Sequence, residues 1–149
     1  MDRQEQFEQF HMSWMEINAV YERYARSIGI SYSMLQVLCE LYSHEPALTQ
    51  KEVCDICHLP KTTVNAIVSG LVKQGYALLR QVPEDRRQKA IVLTEAGREY
   101  AAPIMEHMGR SEMQAFGMLD EETAEAMLRG IQTYQKLFDE KLNETRGDE

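Results

Sequence analysis

The sequence predicts a mainly α-helical fold with one small β-hairpin, an α+β architecture. In most of the chain, apolar side chains recur every three or four positions, which is the spacing of one face of a helix. Only segments 77–82 and 90–93 are rich in β-prone residues, and the charged segment 83–88 separates them. A length of 149 residues with 44% hydrophobic content suits one compact domain with a sizeable core.

The first predicted helix carries a long apolar row that ends at Gly29. The row is longer than the apolar face of a helix on the periphery of a domain. We therefore expect it to pack against other helices, including those of a second subunit. A purely intrachain core stripe is the alternative. The row consists of Phe7, Phe10, Trp14, Ile17, Tyr21, Tyr24 and Ile28.

A second helix is predicted to begin at Ser31 or Ser33, either of which can cap it, and to stop at Pro46. Thr49 and Glu52 have the spacing of a capping box, which predicts a short third helix over about 49–57. The side chains expected to be buried on the second helix are Leu35, Leu38, Cys39 and Leu41.

A fourth helix follows the tight connection 58–60, with Pro60 at its first position, and runs to about Gln74 before Gly75 caps it. Its apolar face consists of Val64, Ile67, Val68, Leu71 and Val72. Its opposite face is polar and free of acidic residues, and consists of Lys61, Thr62, Asn65, Ser69 and Lys73.

The two β-prone segments predict a hairpin with a charged tip over 83–88. Thr94 can cap a fifth helix, and segment 119–122 starts a sixth. The side chains expected to be buried on the sixth helix are Ala124, Met127, Leu128, Ile131, Tyr134 and Phe138.

The net charge of −8 is unfavourable for a nucleic-acid-binding protein, but it is distributed unevenly. Residues 46–100 hold eight basic and six acidic side chains, a balance of +2, so the remaining segments carry −10. Because DNA affinity depends on local neutralisation of phosphates, a mildly basic middle between acidic arms is compatible with binding.

Two short helices joined by a tight turn and followed by a hairpin have the order of a winged helix-turn-helix. The major groove admits one helix, and the small polar side chains of Thr62, Thr63, Asn65 and Ser69 can approach base edges without charge repulsion. Arg87, with Arg86 beside it, is the residue that we expect to enter the minor groove of the DNA. The alternatives are a solvated turn at 85–87 and ordinary surface roles for the polar residues of the fourth helix.

These motifs resemble those of the MarR family. Residues 71–76 (LVKQGY) are similar to the end of that family's recognition helix, residues 85–87 (DRR) to its wing, and residues 92–97 (VLTEAG) to its closing strand. The resemblance implies that Arg87 is the wing arginine and Asp85 its supporting carboxylate, and that recognition-helix residues contact DNA. These residues are Lys61, Thr62, Thr63 and Asn65, and Ser69 and Lys73 on the same polar face are further predicted contacts.

The resemblance also implies a DNA-binding lobe over 31–98 and a helical dimerisation region over 1–30 and 99–145. The expected function is that of a ligand-responsive repressor, a homodimer that binds double-stranded DNA at a pseudo-palindromic operator. A small aromatic or phenolic effector would then bind between the dimerisation helices and the lobe, where Trp14, Tyr21 and Tyr24 either line a cavity or fill the interface. The rival class is a winged-helix module that binds other proteins.

Cys54, Cys57 and His58 match the C-x-x-C-H string of c-type haem attachment, but the segment lies inside a predicted helix of the DNA-binding pair and the N-terminus lacks the layout of a signal peptide. A cysteine-based redox sensor is a further alternative. No spacing indicates a metal site or an enzyme motif, and no apolar run is long enough for a membrane span. We therefore expect a cytoplasmic protein without cofactor.

Overall fold

The structure is a computed structural model. It describes residues 1–44, 47–82 and 85–144, and for residues 85–87 it describes the backbone but not the side chains. The predicted mainly helical fold with a small β-hairpin is confirmed. Met1–Met105 and Glu106–Glu149 form two compact units. Along the described residues the elements are α1 (Arg3–Ser27), α2 (Tyr32–Ser43), β1 (Leu48–Thr49), α3 (Gln50–Cys57), α4 (Lys61–Lys73), β2 (Ala77–Val82), β3 (Asp85–Leu93), α5 (Glu95–Gly117) and α6 (Glu121–Glu144).

Gly29 and Ser31 separate the first two helices. Gly29 has a φ of +78°, a left-handed conformation that glycine adopts without strain, and α1 ends before it as predicted. Of the two candidate caps for α2, Ser31 is used, since its hydroxyl accepts a hydrogen bond of 3.1 Å from the Met34 backbone N–H. Pro46, predicted to stop α2, lies outside the described residues, and α2 ends at Ser43.

The hairpin strands belong to a three-stranded antiparallel sheet with the order β1-β3-β2. Strand β1, which the sequence did not predict, pairs Leu48 with Ile91 and Thr49 with Ala90. Two residues are too few to show an alternating pattern, so the strand is invisible to periodicity. It connects the start of α3 to the middle of the hairpin.

The predicted charged tip over 83–88 is wrong in length, because β3 already begins at Asp85. Val82 pairs with Asp85 and Gln81 with Lys89, and the register shifts between these pairs. Strand pairing uses backbone groups, so it continues into a charged segment whose side-chain pattern does not indicate a strand. Residues 83 and 84 lie outside the described residues.

The largest fully buried side chains lie in the elements from α2 to β3, and Ala25 on α1 and Ala101 on α5 are also fully buried. On α2, the predicted Leu35, Leu38 and Leu41 are buried, whereas Cys39 is only half-buried and Val37 is buried instead. A helix packed by several neighbours buries more than one narrow face, so a single stripe does not describe α2. The largest fully buried side chains are Leu35, Val37, Leu38, Val53, Val64, Leu71 and Ile91.

The predicted burial of the α6 side chains is wrong for the single chain, since α6 contains no buried residue. Its apolar side chains nevertheless lie on one face, as the helical spacing predicts. Periodicity identifies the apolar face of a helix but not the surface that covers it. The exposed members of this row are Met127 (42%), Leu128 (54%), Ile131 (39%), Tyr134 (38%) and Phe138 (51%), while Ala124 is half-buried.

None of the helices in the described part of the chain combines the length and apolar character needed to cross a bilayer.

Thr94 joins the end of the hairpin to the start of α5. Its backbone N–H donates to the Tyr76 carbonyl at 3.0 Å, and its hydroxyl donates to the Gly75 carbonyl at 2.6 Å. The same hydroxyl accepts from the Gly97 N–H at 3.0 Å, which caps α5 as predicted. At Gly97 the helix backbone lies against the Tyr76 carbonyl, leaving no room for a Cβ atom.

Thr49 and Glu52 form the predicted capping box at the start of α3. The Thr49 hydroxyl accepts from the Glu52 N–H at 3.3 Å, and the Glu52 carboxylate accepts from the Thr49 N–H at 2.7 Å. The Thr49 hydroxyl also donates to this carboxylate at 2.8 Å. The hydrogen bonds from the Thr49 backbone and side chain hold the pKa of Glu52 below its ordinary value of 4.5.

Replacing Thr49 with alanine is expected to lower the free energy of unfolding by about 1 kcal/mol at neutral pH. The lowered pKa of Glu52 means that folding favours the charged carboxylate. This stabilisation is complete above the ordinary pKa and is lost as the pH falls through the lower pKa of the folded state. Urea unfolding at neutral pH and at about pH 3 measures the difference, which shrinks in acid. Thr49→Ser keeps the hydroxyl and serves as the control; an equal loss in this variant would contradict the capping role.

Candidate nucleic-acid interface

Helices α3 and α4 are joined by a turn of three residues, as in a helix-turn-helix. His58 caps α3 in the left-handed region, with φ 52° and ψ 37°, and the Leu59 N–H donates to the Cys54 carbonyl at 3.2 Å. Pro60, predicted at the first helical position, is instead the N-cap of α4, with φ −59° and ψ 144°. Its fixed φ suits both positions, and only the extended ψ places it before the helix.

The two faces of α4 differ as the spacing predicts. Val64, Val68 and Leu71 are buried in the core, while Ile67 is half-buried and Val72 is 38% exposed. The predicted contact residues Lys61, Thr62, Asn65, Ser69 and Lys73 are all exposed, and Thr63 is half-buried at the edge of this face.

Ala66 is also exposed on this face, although the sequence analysis did not name it. The spacing 62, 66, 69 and 73 places it on the same side of the helix, so helical periodicity alone would have found it. Its methyl group is small enough for a close approach to a groove floor and suits contact with a thymine methyl.

The N-terminus of α4 has no side-chain cap, since its N-cap is Pro60. The backbone N–H groups of the first helical residues, 61–63, point out of the helix start, and the helix dipole gives this end a partial positive charge. Such an end favours a phosphate group. Lys61 is exposed at the same position and adds a full positive charge.

A groove of about 560 Å³ lies between α3, the start of α4 and the hairpin. Three of its lining residues are lysines, and within the described residues none of them forms an ion pair with a carboxylate. The groove therefore presents positive charge beside the outward face of α4. Its lining residues are Thr49, Gln50, Lys51, Cys54, Lys61, Leu79, Gln88 and Lys89.

Gln50 and Asn65 connect α3 to the outward face of α4. The Gln50 Nε2 donates to the Asn65 Oδ1 at 3.2 Å. The two residues are 15 positions apart in sequence, so no local pattern predicts this contact.

The predicted wing residues lie on the hairpin. The backbone of Asp85, Arg86 and Arg87 is in β3, and their side chains lie outside the described residues. Arg80 on β2 and Lys89 on β3 are exposed on the same hairpin. The sequence analysis did not predict Arg80 as a contact, because the pattern of its segment indicates a strand and nothing more.

The three aromatic residues expected either to line an effector cavity or to fill the interface make different contacts. Tyr21 stacks on Tyr32 with ring centroids 5.9 Å apart, and the Tyr24 hydroxyl donates to the Ile104 carbonyl at 3.1 Å. Burial raises the pKa of Tyr24, which keeps the hydroxyl a donor. Trp14 is 47% exposed. The contacts of Tyr21 and Tyr24 favour packing within the chain over ligand contact.

Cys57 is buried, and burial raises the pKa of its thiol to about 11, with smaller effects from Glu40, Cys39 and Cys54. A thiol with this pKa stays protonated at neutral pH and reacts poorly with oxidants. Cys54 is half-buried at the lysine-lined groove. Among the side chains described, those of residues 1–44, 47–82 and 88–144, no group of three or more His, Cys, Asp or Glu is arranged to hold a metal ion.

Sequence comparison finds a family model that is similar to this part of the chain. The MarR family model matches residues 28–88, which contain α2, α3, α4 and the hairpin as far as Gln88. The predicted resemblance to the MarR family is confirmed over this segment. The matching family and the curated relatives are transcriptional regulators, which is the class that the sequence predicts.

Individual relatives extend the similarity to nearly the whole chain. The HTH-type transcriptional regulator SarZ of Staphylococcus epidermidis is 25% identical over 134 residues, or 89% of the chain and 88% of SarZ. NMB1585, a MarR family regulator from Neisseria meningitidis, has a similar fold with a TM-score of 0.80 at 24% identity, covering 97% of the chain and 99% of NMB1585.

One of the proteins with a similar fold has been solved in complex with DNA. FabT of Streptococcus pneumoniae, in its crystal structure with DNA, has a TM-score of 0.72 at 22% identity. The alignment covers 93% of the chain and 99% of FabT. The winged helix-turn-helix fold of this chain is therefore one that binds DNA in another protein.

Proposed function

We propose that this chain is a sequence-specific DNA-binding regulator, a repressor that acts as a homodimer in the cytoplasm. The observation that carries this proposal is the exposed, acid-free face of α4 beside a groove lined by three lysines. Such a surface combines groups that read base edges with positive charge for the phosphates.

In this proposal residues 31–98 form the DNA-binding lobe, and α4 lies in the major groove. Thr62, Asn65 and Ser69 contact base edges, with Thr63 at the margin of the contact. Lys61 and Lys73, at the two ends of α4, contact phosphates. Arg87 enters the minor groove from the hairpin, and Arg86 and Asp85 support it.

The dimer is proposed to form through the helical regions 1–30 and 99–145. Exposed apolar rows on α1 and on α6 support this assignment, because an apolar face of this size is unfavourable in water. Two recognition helices would then enter successive major grooves about 34–36 Å apart, which requires a pseudo-palindromic operator.

We also propose that a small aromatic or phenolic effector controls DNA binding. Such an effector shifts the protein between two states only if it binds one of them more tightly. Trp14 is the best placed of the three predicted contacts, since its exposed indole is available, whereas the Tyr24 hydroxyl is already bonded to a backbone carbonyl.

DNA binding is tested by measuring the affinity for the region upstream of the chain's own gene over a series of salt concentrations. Tight binding is expected, with a log–log slope of about −0.9 for each phosphate contacted, and random duplex serves as the control. Arg87→Ala is expected to weaken binding by about tenfold or more while the protein remains a dimer. A failure to bind DNA even at low salt would contradict the proposal and favour the winged-helix module that binds other proteins.

A further inference from the structure

The amide of Asn65 is oriented by a neighbour on another helix. Gln50, the first residue of α3, donates its Nε2 hydrogen to the Asn65 Oδ1 at 3.2 Å. An asparagine amide has an acceptor oxygen on one side and an NH2 donor on the other. When Oδ1 faces Gln50, Nδ2 faces away from it.

We propose that Gln50 is a specificity-determining residue that positions Asn65 so that its NH2 group is presented to the DNA bases. The inference rests on the proposed DNA-binding function and deepens it, because it names the base chemistry that this part of α4 reads. Gln50 acts through Asn65 and need not touch a base.

The position of Gln50 is itself fixed by the fold. It follows Thr49, which is both the N-cap of α3 and the partner of Ala90 in the sheet. Gln50 is half-buried, so its side chain has less freedom than an exposed glutamine. A reading group held by a neighbour with restricted freedom discriminates better than one that rotates freely.

The orientation predicts a base preference. An NH2 donor pairs with acceptors on the major-groove edge, which are N7 and O6 of guanine, N7 of adenine and O4 of thymine. Guanine offers two adjacent acceptors and no donor at this edge, so it is the base best matched to a donating Asn65. We expect guanine at the operator position that Asn65 contacts.

The Gln50→Glu substitution is expected to reverse the preference. A carboxylate accepts hydrogen bonds but cannot donate, so Asn65 would turn its Nδ2 toward residue 50 and its Oδ1 toward the DNA. An outward Oδ1 accepts from N4 of cytosine or N6 of adenine. A residue that only joined α3 to α4 would alter stability without changing the base preferred.

The experiment selects bound sequences from a library of random duplex DNA, using the full chain as wild type, Gln50→Ala, Gln50→Glu and Asn65→Ala. Asn65→Ala identifies the operator position that Asn65 reads. At that position alone, Gln50→Ala is expected to reduce discrimination about fivefold, the size expected from the loss of one neutral hydrogen bond. Gln50→Glu is expected to shift the preference from guanine to cytosine or adenine.

Lys51→Ala is the matched control, since Lys51 is the next residue on α3 and lines the same groove. It is expected to lower affinity for all sequences and to reduce the salt slope, without changing any base preference. Thermal melting of each variant verifies that it is folded. Unchanged preference in both Gln50 variants, or a change at a position that Asn65→Ala does not affect, would overturn the inference. If the wild-type chain enriches no sequence, the proposed function itself fails.

Discussion

Replacing Ile131 with glutamate is expected to convert the proposed dimer into a monomer. Ile131 lies in the middle of the apolar row on α6 and is 39% exposed in the single chain, so in the proposed dimer a partner covers it. A carboxylate there would be buried without a charge partner. The dimer dissociation constant should rise at least about 100-fold, which corresponds to roughly 3 kcal/mol. Sedimentation velocity over a range of protein concentrations measures this change.

Thr133→Glu is the matched control, because it adds the same charge on the opposite face of α6, where Thr133 is exposed. This variant should remain a dimer and bind DNA like the wild type. Ile131→Glu should also lose most of its operator affinity, since a monomer contacts one half-site only. An Ile131→Glu protein that sediments as a dimer would remove α6 from the proposed interface.

Replacing Gly97 with alanine is expected to destabilise the fold by about 3 kcal/mol, at the upper end of the usual cost of an added methyl group in a packed site. The new Cβ atom would overlap the Tyr76 carbonyl oxygen, which is backbone and cannot turn aside. The same carbonyl accepts from the Thr94 N–H, so relieving the overlap disturbs the joint between α4, the hairpin and α5. The melting temperature should fall by roughly 10 °C.

Gly109→Ala provides the control for this substitution within the same helix. A Cβ atom at Gly109 meets nothing within 4 Å in the described chain, so alanine should stabilise α5 by about 0.5–1 kcal/mol through its better helix propensity. Circular dichroism melts at one fixed protein concentration compare the two variants. Equal melting temperatures for Gly97→Ala and wild type would show that the backbone can yield at this joint.

Local chemistry explains which parts of the fold could be predicted from the sequence. The Thr49 capping box, the Gly29 and Gly75 helix ends and the two faces of α4 depend on residues within one or two turns of each other. Tyr76 N–H donates to the Leu71 carbonyl at 2.9 Å around Gly75, so the glycine after α4 acts as predicted.

The features that could not be predicted depend on distant parts of the chain. Strand β1 forms because Leu48 pairs with Ile91 of β3, and β3 extends to Asp85 through backbone pairing with Val82. The hydrogen bond between Gln50 and Asn65 joins two different helices, so it depends on how α3 and α4 pack. The exposed row on α6 is a further case, since the spacing defines the row but not the surface that covers it in the proposed dimer.

The separation of the two faces of α4 has a consequence for how regulators of this kind diverge. Val64, Val68 and Leu71 fix the helix in the core, whereas Thr62 and Ser69 have no part in that packing. If α4 binds DNA as proposed, substitutions at Thr62 or Ser69 are expected to change the operator that a descendant recognises with little cost in stability. Asn65 is different, because it shares a hydrogen bond with Gln50. A descendant that acquires a new base preference at this position is expected to change both residues together.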